Sequence, residues 1–262
     1  MSLVEFSFDA DRGIATITFN RPQAMNALDV PMARELNAVV SGLPAVQGLR
    51  CVVLRGAGRA FVAGGDLSAF AADFERADVA LDELLDQLNP VVVGLRELGA
   101  PVLASVHGAV AGAGVSLMCA CDLVVAAEGT RFVLAYGRIA APPDCGASWS
   151  LPRLIGLRRA TEFMFLGDTW DTDTALEAGM INQVVPEDHL DEVTDSLAGR
   201  LASGATLAFA AFKRLAGESQ RYSLAEQVER EREAFRLLTK TADFREGVGT
   251  FLAKKTPRFS GR

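Results

Sequence analysis

The chain contains 262 residues, of which 26 are Lys or Arg and 33 are Asp or Glu, so its formal net charge is −7. This acidic balance argues against nucleic acid and against an anionic membrane surface as the main partner. Half of the residues are hydrophobic, yet no uninterrupted apolar stretch reaches the ~18 residues of a membrane-spanning helix. Four cysteines without C-x-x-C spacing and only two histidines favour free thiols in a reducing, cytoplasmic compartment, and they do not favour a metal site.

The N-terminal part of the chain is predicted to alternate strands with helices. Alternating apolar residues predict two strands, at 4–8 and 14–19, joined by a hairpin turn at 11–13. Further strands are predicted near Cys51, Val102, Leu123 and Phe132 and at 181–185, and helices at 30–40 and 78–98. Such alternation is typical of an α/β fold in which a parallel sheet is covered by helices.

The C-terminal part, beyond about residue 187, is predicted to be helical. Apolar residues recur there at helical spacing, with Arg and Glu crowding the opposite face. The predicted helices cover 190–201, 206–216, 224–238 and 243–252.

Two segments combine a buried-type strand with a run of very small residues. One follows the apolar residues 101–106 and extends from His107 into an apolar helix, and the other follows the strand at 51–54 and covers 55–67. Backbone N–H groups at a helix start lack intrahelical partners, and the helix dipole favours negative charge there. We therefore expect two turns that can each direct one N–H at the same oxygen. The alternative is a close helix–sheet contact that only requires small side chains.

Four motifs in order give the chain a resemblance to a known family. They are Asn-Arg-Pro at 20–22 with Asn-Ala-Leu at 26–28, Ala-Phe-Val-Ala-Gly-Gly-Asp-Leu at 60–67, the small-residue segment at 107–122, and Phe-Leu-Ala-Lys-Lys at 251–255. With them the chain resembles the crotonase superfamily, also called the enoyl-CoA hydratase/isomerase family, over nearly its whole length. The resemblance implies a crotonase-like ββα spiral core at 1–198 with the CoA-thioester site, and a helical region at 199–262 that packs in homotrimers or homohexamers.

The resemblance also assigns the oxyanion-hole donors to the backbone N–H groups of Gly65 and Ala113. Hydratases of the family carry one glutamate three residues after the second donor and another in a later loop, and these positions hold Ser116 and Tyr136 here. Neither side chain replaces a carboxylate, because a serine hydroxyl and a tyrosine of pKa about 10 are weak bases at neutral pH. A two-glutamate hydration is therefore hard to assemble from these positions.

Asp144 offers a replacement acid. It follows two prolines and precedes 146–148, a natural helix start, so a plain helix N-cap is the alternative interpretation. Family members that lack both glutamates, the 2-(1,2-epoxy-1,2-dihydrophenyl)acetyl-CoA isomerases and related Δ3-Δ2 enoyl-CoA isomerases, carry an acid in this Pro-Asp or Pro-Glu turn. The segments that resemble this branch are 89–91, 132–139, 143–146 and 151–156.

By the same resemblance, coenzyme A lies across the two turns as part of the substrate, and no tightly bound cofactor is expected. The expected CoA-binding residues are Arg21, Ala27, Ala63, Asp66, Leu67, Lys254 and Lys255. The expected substrate pocket contains Phe70, Ser116, Tyr136 and Trp149. Simpler roles stay open: Asp66 as an N-cap, the two lysines as solvated residues, and the two aromatic residues Phe70 and Trp149 as core.

Three functions follow from these residues. The first is an acyl-CoA isomerase in which Asp144 is the single acid/base, and the second is an atypical enoyl-CoA hydratase that uses Asp144 and a water. The third is a non-catalytic subunit that binds CoA thioesters, since both glutamates are missing. A dinucleotide enzyme is set aside, because the glycines at 108–114 lack G-x-G-x-x-G spacing.

Overall fold

The computed structural model describes residues 2–262. Within them it contains two β-sheets and ten α-helices. The strands are β1 (Val4–Asp9), β2 (Ile14–Phe19), β3 (Cys51–Gly56), β4 (Ala60–Val62), β5 (Val102–Val106), β6 (Ala109–Ala111), β7 (Leu123–Ala127), β8 (Arg131–Val133) and β9 (Gln183–Val185). The helices are α1 (Val30–Gly42), α2 (Ser68–Ala72), α3 (Ala77–Glu97), α4 (Ala113–Ala120), α5 (Ala147–Leu166), α6 (Thr172–Glu177), α7 (Leu190–Ser203), α8 (Thr206–Glu218), α9 (Leu224–Leu238) and α10 (Ala242–Leu252).

The large sheet has the strand order β1-β2-β3-β5-β7-β9. Its first pair is the predicted antiparallel hairpin, and each later pair is parallel. Successive residues of β3 point to opposite faces, so Val52 and Leu54 pack in a cluster with α1 and α3, whereas Cys51 and Val53 pack against α7. Because helices cover both faces, the central strands are continuous apolar runs, and their prediction is confirmed.

The small sheet has the order β4-β6-β8 and is parallel. Each of the two small-residue segments contains a strand of three residues that was not predicted, β4 in the segment 55–67 and β6 in the segment that begins at His107. A tight fold at Gly56 brings β4 back, since a Cβ on Gly56 would lie 2.3 Å from the Ala60 carbonyl oxygen. The small sheet therefore carries the ends of both small-residue segments side by side.

Helix α4 lies between the small sheet and the rest of the core. All eight of its residues are buried, which suits its nearly uninterrupted apolar sequence. A Cβ on Gly114 would lie 2.1 Å from the Val62 carbonyl oxygen, so the helix backbone rests directly on β4. Small residues at its start are thus required by packing as well as by any ligand.

The C-terminal helices α7 to α10 confirm the helical prediction for this part of the chain. The expected division after residue 198 falls inside α7, whose residues Leu190, Ala198 and Ala202 pack on the large sheet. A boundary after α7 fits this packing better, because the apolar side chains of α7 belong to the sheet core. No described helix combines the length and apolar character that crossing a membrane requires.

Candidate active site

The backbone N–H of Gly65 lies in a turn that leaves it without a protein partner. Leu28 and Gly65 form an isolated parallel bridge, in which Leu28 N donates to Gly64 O and Asp66 N donates to Leu28 O, each at 2.8 Å. In a parallel bridge the residue between these two bonds turns its own N–H away. Among residues 2–262, the Gly65 amide donates to no backbone or side-chain acceptor.

The backbone N–H of Ala113 is the first of helix α4, where intrahelical bonding gives it no acceptor. The preceding Gly112 adopts φ 48°, and its N–H donates to Val133 O at 3.0 Å, which fixes the entry to the helix. The Ala113 amide therefore combines an open N–H with the positive end of the helix dipole.

The two turns lie against each other. A Cβ on Gly64 would lie 3.3 Å from Ala111 O, and a Cβ on Gly112 would lie 3.7 Å from the Gly64 Cα. The same Cβ on Gly112 would lie 4.0 Å from Cζ of Tyr136. The structure thus brings the two expected donors and the Tyr136 ring into one small region.

Ser116, Tyr136 and Asp144 form a hydrogen-bonded cluster beside these turns. The Tyr136 hydroxyl donates to Asp144 Oδ1 at 2.5 Å, and Ser116 Oγ donates to the Asp144 carbonyl oxygen at 3.1 Å. The hydroxyl groups of Ser116 and Tyr136 are 3.4 Å apart. The two positions that carry glutamates in the resembled hydratases therefore both hold Asp144 in place.

Burial, and next the negative charge of Asp144, raise the pKa of Tyr136 far above its usual range. The phenol consequently stays protonated and acts as a permanent donor at neutral pH. Its bond occupies Oδ1 and leaves Oδ2 of the half-buried Asp144 carboxylate available for another proton.

The loop that carries Asp144 has an unusual backbone. Tyr136–Ile139 form a 3-10 helix between Ala135 and Ala140, which both have φ 55°, and Cys145 has φ 48°. Such left-handed conformations are costly for residues with a Cβ and cluster at functional sites. The N-cap interpretation of Asp144 is wrong, because Gly146 occupies the cap position of α5 and the Asp144 side chain bonds to Tyr136 instead.

Comparison with known proteins matches this sequence to one family. The model of the enoyl-CoA hydratase/isomerase family matches residues 9–262. The chain belongs to the enoyl-CoA hydratase/isomerase family. Its crotonase-like fold, expected from sequence, is confirmed by a crystal structure of an enoyl-CoA hydratase from Polaromonas sp. JS666, with a TM-score of 0.91, 30% identity and coverage of 97% of this chain and 98% of that one.

Curated relatives include both reaction types of the family. The hydratase/isomerase described here is 36% identical over 253 residues to the 1,2-epoxyphenylacetyl-CoA isomerase of Escherichia coli (strain K12), with 96% of this chain and 97% of that protein covered. It is 32% identical over 250 residues to the 2,3-dehydroadipyl-CoA hydratase of the same strain, with 95% and 96% covered. The protein is accordingly an enzyme of acyl-CoA hydratase/isomerase chemistry.

Three of the seven expected CoA-binding residues of this hydratase/isomerase, Arg21, Ala27 and Asp66, lie together. Arg21 donates from one terminal nitrogen to Ala27 O at 3.0 Å and to Asp66 Oδ2 at 2.8 Å. Asp66 Oδ1 accepts from the Ser68 hydroxyl at 2.6 Å and from its N–H at 3.1 Å, and these bonds, with Arg21, lower the pKa of Asp66. Asp66 thus orders the start of α2, although Leu67 occupies the cap position.

The remaining members of that set lie at the surface or nearby. Ala63 donates its N–H to Met25 O at 3.1 Å, and the Leu67 side chain is exposed. Lys254 and Lys255 are exposed just after α10.

The four expected pocket residues are divided by the structure. Ser116 and Tyr136 lie in the Asp144 cluster, and Phe70 is half-buried on α2. Trp149 lies elsewhere, with the Arg153 guanidinium 4.0 Å from its ring centroid, and it lines a cavity next to α8. His107 Nε2 lies 2.8 Å from Gly58 O, a contact that joins the two small-residue segments.

Asn26 is a positioning residue to which sequence reasoning assigned no role. It is fully buried with φ 57°, and its amide nitrogen reaches Ala57 O, Ala60 O and Phe61 O at 2.9, 2.8 and 3.1 Å. These bonds fix β4, which leads into the Gly65 turn. The sequence signals at this position are the Asn-Ala-Leu motif at 26–28 and the tolerance of asparagine for left-handed backbone.

Proposed function

We propose that this enzyme is an acyl-CoA isomerase that moves a double bond through an enolate, with Asp144 as its single acid/base. The observation that carries the proposal is the Tyr136–Asp144 hydrogen bond at 2.5 Å. It orients one carboxylate beside two open backbone N–H groups, at a site where the hydratase positions hold hydroxyl groups.

The proposed reaction moves one proton from C2 to C4 of the acyl chain. Asp144 Oδ2 accepts a proton from C2 of a 3-enoyl thioester, and the electron pair of that C–H bond moves toward the thioester oxygen. The N–H groups of Gly65 and Ala113 stabilise the resulting enolate, each contributing about 3–4 kcal/mol. Asp144 then returns the proton to C4 while the remaining double bond shifts to C2=C3, so no water is consumed.

Two observations suggest which acyl group the substrate carries. The apolar core around Tyr136 suits an aliphatic 3-enoyl chain, and the name of the Escherichia coli relative suggests an epoxyphenylacetyl group. For that group the same enolate would drive ring rearrangement of the epoxide to an oxepin. Coenzyme A is proposed to run past Arg21 and Asp66, with the phosphates near Lys254 and Lys255 of this or a neighbouring subunit.

A homotrimer or homohexamer is part of the proposal. Large apolar side chains are exposed on α5 and on α8 to α10, where they have no cover within residues 2–262. They include Phe165, Phe212, Phe235 and Phe251. Exposed apolar side chains on several helices favour contact with neighbouring copies of the chain, and such contacts are satisfied when head-to-tail copies close into a ring.

The test follows conjugation of 3-hexenoyl-CoA by the absorbance of the 2-enoyl thioester. We expect activity in the wild type, a loss of at least about 100-fold in Asp144→Asn and Asp144→Ala, and unchanged binding of the CoA ester. Asp168→Asn, at an exposed aspartate, is the matched control and should match the wild type. Full activity in both Asp144 variants would refute the proposal.

The hydratase remains the second candidate, because a free carboxylate oxygen on Asp144 can also activate water and a hydratase is among the relatives. Water addition to crotonyl-CoA at a rate above that of 3-hexenoyl-CoA isomerisation would favour it. Tight binding of both thioesters without turnover would favour the non-catalytic subunit.

A further inference from the structure

A cavity of about 570 Å³ lies between the C-terminal end of α3, the start of α5 and the helices α8 and α9. Its volume is in the range of sites that hold small organic molecules. One face of α8 lines it, through residues spaced three and four apart such as Leu207, Ala211, Arg214 and Glu218. Leu237 and Leu238 of α9 provide an apolar wall opposite this face.

The charged groups around this cavity are not balanced. Arg96, Lys213, Arg214 and Arg221 line it, and Lys213 is already paired with Asp122 at 2.7 Å. Among residues 2–262, the three arginines have no carboxylate within 4.0 Å. A concentration of unpaired guanidinium groups in a chain of net charge −7 favours an anion.

The carboxylates that line the cavity do not remove this excess. Glu218 is paired with Arg230, which leaves Glu97 against the three arginines. The Arg96 guanidinium lies 5.4 Å from the ring centroid of Trp149, so an aromatic ring orients it without neutralising it. Burial and the positive charge of Arg96 both lower the pKa of Lys213, although Asp122 opposes them.

We propose that this cavity binds an amphipathic organic anion, with its carboxylate on Arg96 and Arg214 and its apolar chain along Leu207, Leu237 and Leu238. Guanidinium groups match the planar, two-oxygen geometry of a carboxylate, and the leucines bury an alkyl chain. The site is independent of the proposed isomerase function.

The site is separate from the candidate active site. The Ala113 amide lies at the first residue of α4, whereas Asp122, which holds Lys213 of the cavity wall, follows its last turn. Eight residues of helix place these ends about 12 Å apart. None of Gly65, Ala113, Tyr136 or Asp144 lines the cavity.

The test is a titration of the full chain with octanoate and with octanamide, its uncharged analogue. The Trp170→Phe background leaves Trp149 as the single tryptophan and keeps an aromatic ring against Phe163. Calorimetry on the wild type gives a second readout that does not depend on the tryptophan. A saturating acyl-CoA thioester is included in parallel titrations to occupy the substrate site.

We expect saturable octanoate binding that quenches Trp149 and persists with acyl-CoA present. The wild type should bind octanamide about tenfold more weakly than octanoate, and the Arg96→Gln and Arg214→Gln variants should each bind octanoate about tenfold more weakly than the wild type. The control variant Arg158→Gln, at an exposed arginine of α5, should bind octanoate like the wild type. Arg214→Gln leaves the Arg96–Trp149 contact intact, so a folding defect at that contact cannot imitate the result. Absence of saturable binding, equal affinity for octanamide, or displacement by acyl-CoA would overturn the proposal.

Discussion

Replacement of Tyr136 by phenylalanine removes one oxygen atom from the candidate active site and keeps the buried ring. The lost contact is the 2.5 Å hydrogen bond from the phenol to Asp144 Oδ1. Hydrogen bonds to charged groups contribute about 1.5–3 kcal/mol. If that energy orients the acid in the transition state, kcat should fall about 10- to 150-fold.

The same replacement should leave substrate binding nearly unchanged. The Tyr136 hydroxyl contacts Asp144 and Ser116 and none of the groups around Arg21. KM for 3-hexenoyl-CoA is therefore expected within about twofold of the wild type, a pattern that marks loss of an interaction made in the transition state. Because the Asp144 carboxylate is half-buried and can take a water in exchange, we expect unfolding free energy to fall by less than about 1 kcal/mol.

The assay combines steady-state conjugation kinetics with urea unfolding. Tyr222→Phe is the matched control, because Tyr222 is the other tyrosine of the chain, its ring packs under Arg230, and it takes no part in the hydrogen bonds of the Asp144 cluster. A kcat within about threefold of the wild type in Tyr136→Phe would refute the positioning role. So would an equal loss of kcat in the Tyr222 control.

Three further outcomes are expected. Gly114→Ala places a Cβ 2.1 Å from Val62 O and should lower both the unfolding free energy, by about 1–3 kcal/mol, and kcat. Gly42→Ala, whose Cβ meets nothing within 4 Å, should lower neither. Equal loss of unfolding free energy in the two variants, measured by urea unfolding, would contradict this prediction. Hydrogen bonds from Ser2 and from backbone N–H groups lower the pKa of Glu35, so its stabilisation is present above about pH 4.5 and is lost as the pH falls through the lowered pKa. Below pH 4.5 the melting temperature of Glu35→Gln should fall less with decreasing pH than that of the wild type. An equal fall in both proteins would contradict this prediction. Burial raises the thiol pKa values, to about 12 at Cys51, so a thiol reagent at pH 8 should label the four cysteines only after denaturation; rapid native labelling would contradict the buried placement.

The helices at 30–40, at 78–98 and beyond residue 187, and the strands of the large sheet, could be predicted from sequence because apolar residues recur at regular spacing or in continuous runs along them. Strand β5 is a continuous buried run, and α9 begins at Ser223 with a capping box that its Ser-x-x-Glu sequence predicts. Of the small sheet only β8 was predicted, near Phe132; β4 and β6 were not, since Ala60–Val62 and Ala109–Ala111 are strands of three residues within glycine-rich sequence. Their pairing is decided by tertiary packing against α4, for which a local pattern carries no signal.

Sequence analysis named candidate residues for the site, but it did not predict the hydrogen bonds between them. The family resemblance pointed to Gly65, Ala113 and Asp144 as candidates, but the bond between Tyr136 and Asp144 depends on a loop that returns through two alanines in left-handed conformation. Alanine gives no warning of such a backbone, because its propensity favours right-handed helix. The separation of Trp149 from the Asp144 cluster likewise depends on the direction of α5, which the sequence leaves open.

The fully buried helix α4 has a consequence for how the chemistry of this enzyme can vary. The Ala113 amide is part of a rigid interior, and moving it would require opening the contact between α4 and β4. Asp144 and Tyr136, by contrast, belong to a loop beside that interior, where the Tyr136 ring is part of the core and the Asp144 carboxylate is only half-buried. In the proposed function, the donors to the thioester oxygen therefore belong to the rigid scaffold, whereas the group that moves the proton belongs to one half-buried side chain of the adjacent loop.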